Sequence, residues 1–211
     1  MWAMINNGTV SGVTKADPTG RHHPSLQWVA VPVAWQGLIE DGCRYSEGAF
    51  LPPALLTEAG AVDTDPVSGD PLPDIDWLAA RSIAGIATFA AEARRKATLG
   101  ADAIEIATWP AKEAMAQRHQ AATATAGDAA ALQAEADLRT MTVADLVTLI
   151  LARADVFKLA GGKIKGWQAK CEAHVATEAA AGDVAALVDG LATLKAQAAA
   201  ELETLLQQLQ A

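Results

Sequence analysis

From Thr142 to Gln210 the chain repeats apolar residues at intervals of three and four, and no other stretch constrains the fold so tightly. Leu146, Val147, Ile150, Ala154, Phe157, Ile164, Cys171 and Val175 form one series. Leu187, Leu191, Leu194, Ala198, Leu202, Leu205 and Leu209 form a second. A period near 3.6 residues lays each series along one helix face, in a seam narrow enough for helix-on-helix packing. Thr142 and Asp145 make a capping-box-like start, and Gly182-Asp183 supplies a stop followed by a second start. The pattern predicts two long helices, antiparallel or coiled-coil-like. A kink or short break is expected at Gly161-Gly162, since each glycine costs about 1 kcal/mol against alanine in a helix interior. Pairing of the seams, within or between chains, assigns a helix-packing and self-association role to Leu146, Ile150, Phe157, Ile164, Cys171, Val175, Leu187, Leu191, Leu194, Leu202, Leu205 and Leu209.

The amino-terminal end has a different grammar. Trp2 to Ile5 is apolar and β-tolerant, Asn6-Asn7-Gly8 favours a tight hairpin turn, and Thr9 to Val13 reads as the returning strand. Leu26 to Val31 alternates as a half-buried strand would, and a further short hairpin is expected around Glu47-Gly48. Residues 1–53 thus form a small antiparallel β module, of a size that is marginal alone. Residues 54–73 are rich in Pro, Gly and Asp and read as an extended linker. A helical region over 74–139 follows, in which Asp74 or Asp76 caps a helix bearing Leu78, Ile83, Ile86 and Phe89 and stopped at Gly100. Ala103 to Trp109 reads as a brief extended segment, Pro110 as the start of a helix to about Ala126, and Gly127-Asp128 as the start of another to Arg139. The helix pair of 140–211 completes an α+β chain. Hydrophobic residues make up 51%, but alanine supplies much of that, so a thin core is expected.

A net charge of −9 with no basic cluster disfavours nucleic acid and anionic membranes as partners. Cys43 and Cys171 form no repeated framework, which points to reduced thiols made in a cytosol. The start lacks the basic and long apolar segments of a signal peptide, and no uncharged run is long enough to span a bilayer.

Candidate chemistry is thin. Gly161-Gly162-Lys163 lacks the upstream glycine and the following Ser or Thr of a phosphate loop. Asp63, Asp65 and Asp74 take three positions of a calcium loop, but Val67 and Ser68 break it. Cys171 and His174 would be half of a zinc site with no matching partners, and His174 is expected to face solvent. No nucleophile motif occurs and the carboxylate spacings are ordinary, so no enzyme activity, cofactor or metal is expected. Trp77 and Trp167 are expected to anchor a core, and Trp2 and Trp28 to pack on strands.

Trp2-Ala-Met-Ile-Asn-Asn-Gly-Thr-Val, His23-Pro-Ser-Leu-Gln-Trp-Val-Ala-Val-Pro, Gly42 to Tyr45, Gly48, Phe50 and Pro52-Pro53 together resemble a small module of tailed-bacteriophage tail-fibre-assembly and tail-fibre-associated proteins. Val143-Ala-Asp-Leu-Val and Ile150-Leu-Ala-Arg-Ala are similar to helices near the end of such proteins. The resemblance covers about the first fifty residues and the stretch from Thr142 to Lys170. It implies no catalysis. It implies a structural component of the virion tail, fibre- or baseplate-associated, with other copies of itself and fibre or baseplate proteins as partners. Trp2, Trp28, Tyr45 and Phe50 would then be the docking residues of the β module. The alternatives are an assembly chaperone that leaves the finished particle, or a glycan-binding or hydrolytic module at the host surface.

Overall fold

The computed structural model describes residues 1–98 and 101–210, with side chains through Gln208. In chain order the elements are β1 (Trp2–Asn6), β2 (Thr9–Thr14), β3 (Gln27–Ala30), a 3-10 turn (Val33–Trp35), β4 (Arg44–Ser46) and β5 (Ala49–Leu51). Five helices follow: α1 (Ile75–Ala97), α2 (Ala103–Gln120), α3 (Ala126–Leu138), α4 (Val143–Ala181) and α5 (Val184–Gln210). The fold is α+β, with a small antiparallel sheet formed by the amino-terminal residues and five helices following it in sequence, as the sequence predicts.

Strand order in the sheet is β3-β1-β2-β4-β5, antiparallel at every pairing. Both predicted hairpins form. Asn7 and Gly8 take φ of 50° and 75°, and Glu47 and Gly48 take 51° and 86°, the left-handed pairs that two-residue turns require. Opposite the Met4-Ile5 step the register jumps from Gly12 to Val10, leaving Ser11 as the extra residue of a bulge. The bulge lets Ile5 and Val10 both turn inward, where each is buried.

The chain divides into two compact units, neither continuous in sequence: Met1–Phe89 with Trp167–Gln197, and Ala90–Gly166 with Ala198–Ala211. The expected boundaries at 53, 73 and 139 are therefore corrected, because helices α1, α4 and α5 each contribute to both units. In the first unit, Ala3, Ile5, Val10, Val31, Trp35, Cys43 and Phe50 pack with Leu78 and Ile86 of α1, Cys171 and Val175 of α4, and Leu187, Val188 and Leu191 of α5. A fifty-residue sheet is too small to hide its own apolar face, and here helices separated from it in sequence supply the cover.

Residues 54–73 are not an extended linker. Bridges Ala54–Pro73, Leu56–Val62 and Thr64–Pro71 fold them into a doubled-back meander, with Gly60 and Gly69 at its turns. Arg44 ties it to the sheet by donating to the carbonyls of Pro52 (3.1 Å) and Pro71 (2.9 Å). Asp65 Oδ1 accepts from the amides of Val67 and Ser68, so this acid closes a turn. Proline limited the backbone as expected, but the bridging hydrogen bonds fall between its prolines.

In the second unit one cluster joins Ala90, Ala93 and Ala97 of α1 to Ala160 and Ile164 of α4 and Leu202 and Leu205 of α5. Another joins Ala116, Leu132 and Ala136 to Leu146 and Val147. Alanines dominate the first, where they let helix backbones approach closely while burying little area each.

Helix ends follow the expected chemistry only in part. Asp74 Oδ1 caps the amide of Trp77 at 2.8 Å, Thr142 Oγ1 that of Asp145 at 3.1 Å, and Asp183 Oδ1 that of Ala186 at 2.8 Å. The segment Ala103 to Trp109 is helical, not extended: Asp102 caps Glu105, and Pro110 sits inside α2, not at its start. That helix ends at Gln120, short of Ala126, with Ala122 left-handed at φ 55°. Thr125 and Asp128 then form a full capping box, and Gly127-Asp128 stands in the first turn of α3, as the sequence predicts. On α1, Ser82 is buried between Leu78 and Ile86 while Ile83 is 38% exposed, shifting the expected face by one residue. The expected stop at Gly100 lies outside the described residues.

Helix α4 runs unbroken through Gly161-Gly162. Nothing lies within 4 Å of a Cβ built on Gly161, Gly162 or Gly166, and none of the three has a positive φ. Converting all three to alanine is therefore expected to stabilise the protein by about 1–3 kcal/mol, at roughly 0.4–1 kcal/mol per site. A guanidinium midpoint that falls in the triple variant would show instead that the helix is broken there.

Candidate functional site

The residues expected to seal helix seams have three fates. Cys171, Val175, Leu187 and Leu191 are buried in the first unit, with Leu194 half-buried beside them. Ile164, Leu202, Leu205 and Leu146 are buried in the second. These side chains are covered within one chain, so self-association cannot use them without opening a core. Ile150 and Phe157 are only half-buried and line a cleft. The Leu209 side chain lies outside the described residues.

The four expected docking residues separate by strand alternation. Tyr45 and Phe50 are cross-strand partners on the core side of the sheet, with ring centroids 4.9 Å apart. Phe50 is buried, and Trp35 lies beyond it at 6.3 Å. Phe50 is thereby corrected from docking to core, and Tyr45 is half-buried against it. Trp2 and Trp28 take the opposite face, since Ala3 and Ile5 between them point inward. Met4 pairs with Trp28 on one side and Gly12 on the other, and the Met4 Cε lies 3.6 Å from where a Gly12 Cβ would be. A Trp2-Met4-Trp28 platform results, lying over bare backbone at Gly12. The His22 ring packs against Trp28 at a tilt of 34° with centroids 4.8 Å apart, and the shielded Trp28 Nε1 has no acceptor among the described residues.

His174 departs most from expectation. Only 20% of its side chain is exposed, because the ring lies on the backbone of α5, with Nε2 3.2 Å from the Ala186 carbonyl and Nδ1 3.8 Å from Glu178. A Cβ on Gly190 would fall 2.4 Å from the His174 ring, so this glycine exists to admit an imidazole. No sequence period signals a glycine three residues past the buried Leu187 as a histidine seat. Nearby, the Lys195 Nζ stands 3.4 Å from the Cβ position of Gly85. Burial lowers the Lys195 pKa and raises that of Cys171, which makes the thiol less reactive. Cys43 is likewise buried and free, its pKa raised by burial.

The second unit carries a cleft of about 630 Å³. Its apolar wall includes Ile106, Trp109, Leu149, Ile150 and Phe157, with Trp109 and Phe157 edge-to-face at 4.9 Å and 88°. The charged residues along it are organised. Glu135 accepts from Lys112 (3.0 Å) and Arg139 (2.8 Å). Burial by itself would raise the Glu135 pKa, and the two cations outweigh it to leave the carboxyl below its ordinary value. Lys158 pairs with Glu113. Outside the cleft, Arg118 of α2 grips Asp128 of α3 through two bonds of 2.7 and 2.9 Å and holds that carboxyl well below the usual carboxylate range.

No group of three or more His, Cys, Asp or Glu converges as a metal site among the described residues. No described helix is long and apolar enough to cross a membrane. Compared with protein-family models, curated proteins and solved structures, the chain matches none.

Proposed function

We propose that the chain is a non-enzymatic structural protein of a bacteriophage tail, an attachment or adaptor component of the baseplate or fibre. One observation carries the reading. The amino-terminal stretch that bears the tail-protein resemblance contains every strand of a single sheet, whose inner face is sealed by helices and whose outer face presents Trp2, Met4 and Trp28. Aromatic side chains held on a sheet face can supply the anchor that a protein interface needs. A carbonyl from a partner could satisfy the Trp28 indole in place of the weak cover His22 provides.

Mass spectrometry of purified virions should find the protein, and Trp2→Ser with Trp28→Ser should abolish incorporation while leaving the circular dichroism unchanged. A folded protein that stays monomeric and is missing from virions would overturn the reading. The open apolar cleft of the second unit favours a second one, a fibre-assembly chaperone that departs after holding an apolar segment. Co-expression separates them: a chaperone raises the yield of soluble fibre and is absent from the particle.

A further inference from the structure

We propose that the cleft of the second unit binds a small amphiphilic anion, a molecule with an apolar chain or fused-ring body and one carboxylate or sulfonate head. Its volume of about 630 Å³ suits such a ligand and falls within the range of preformed small-molecule sites. Ile106, Leu149, Ile150 and the crossed rings of Trp109 and Phe157 give the body an apolar bed. Burying a chain against them removes surface from water at roughly 25 cal/mol per Å².

Charge decides the head group. Lys112, Arg139, Arg153 and Lys158 line the cleft against Glu105, Glu113 and Glu135, a local excess of one positive charge in a chain of net −9. Glu135 is already held by Lys112 and Arg139, and Glu113 by Lys158. Arg153 forms no ion pair among the described residues, so its guanidinium is the cation left for a ligand. A planar guanidinium receives a carboxylate or sulfonate through two parallel hydrogen bonds. A cationic amphiphile would meet the positive excess instead.

The full chain is titrated with 1-anilinonaphthalene-8-sulfonate and with N-phenyl-1-naphthylamine, the same ring body without the charge. One saturable site per chain is expected for the sulfonate, displaced by laurate and not by dodecyltrimethylammonium. The neutral compound should bind at least tenfold more weakly. Arg153→Glu should weaken the sulfonate at least tenfold and leave the neutral compound within about twofold. Ala154→Phe, which fills the cleft, should abolish both, with an unchanged guanidinium midpoint certifying the fold. Equal binding of the two probes, better displacement by the cation, or binding that survives Ala154→Phe would overturn the proposal. So would the absence of saturable binding, including the case in which cleft variants lose only a copurifying protein.

Discussion

Leu187→Ala is expected to destabilise the first unit by about 2–5 kcal/mol, the range for a leucine truncated inside a core that cannot collapse around the gap. Leu187 is 0% exposed and meets side chains from the sheet, α1 and α4 in one cluster. Its position is tightly held, because it follows the Asp183 cap by four residues and donates its amide to the Asp183 carbonyl at 3.0 Å. Neither the helix start nor the sheet can slide to refill the space. Natural domains hold only about 5–15 kcal/mol in total, so this one change removes a large fraction. Guanidinium unfolding should show a lowered midpoint at unchanged slope. A loss below about 1 kcal/mol would mean that the helices do not seal the sheet as described. Leu159→Ala, at an exposed site on α4, is the control and should stay within about 0.5 kcal/mol.

The second large effect is a change of sign. Gly190→Ala adds a methyl where the His174 ring already stands, at 2.4 Å from both Cε1 and Nε2. The ring must leave its seat and lose its contact with the Ala186 carbonyl. Overpacking of this kind costs about 1–3 kcal/mol, against a helix-propensity gain of about 1 kcal/mol for replacing glycine. The single variant should therefore be destabilised. In a His174→Ala background the obstacle is gone and the same Gly190→Ala should stabilise by up to about 1 kcal/mol. The double-mutant cycle reads the difference as a coupling of up to about 3 kcal/mol, within the range for residues in contact. Additive effects would contradict the packing of His174 on α5.

Much of the local structure was legible because it depends on near neighbours in the chain. Asn7-Gly8 and Glu47-Gly48 adopt the left-handed pairs their residue types permit, and Asp74, Thr142 and Asp183 cap where a short side chain reaches its own third amide. Helix ends without glycine were not legible. Ala122 and Thr140 take left-handed φ of 55° and 53° with no local preference for it, so the ends of α2 and α3 had no signature. Prolines misled at both places where they were informative on paper. Pro110 rides inside α2, and the prolines of 54–73 leave enough free amides to bridge a meander.

Period and chemistry alone determined that residues 142–210 form two amphipathic helices and that the front end is a sheet with one inward face. Those features follow from side-chain spacing and from hydrogen bonds within a few residues. Tertiary structure decided which surface covers which. It buried Phe50 with Tyr45 half-buried against it, left Trp2 and Trp28 outward, seated His174 on Gly190, and opened Ile150 and Phe157 to a cleft while closing Leu146 four residues from one of them. Each of those outcomes depends on the side-chain volume that a distant segment brings to the same place, and volume brought from far along the chain leaves no trace in spacing.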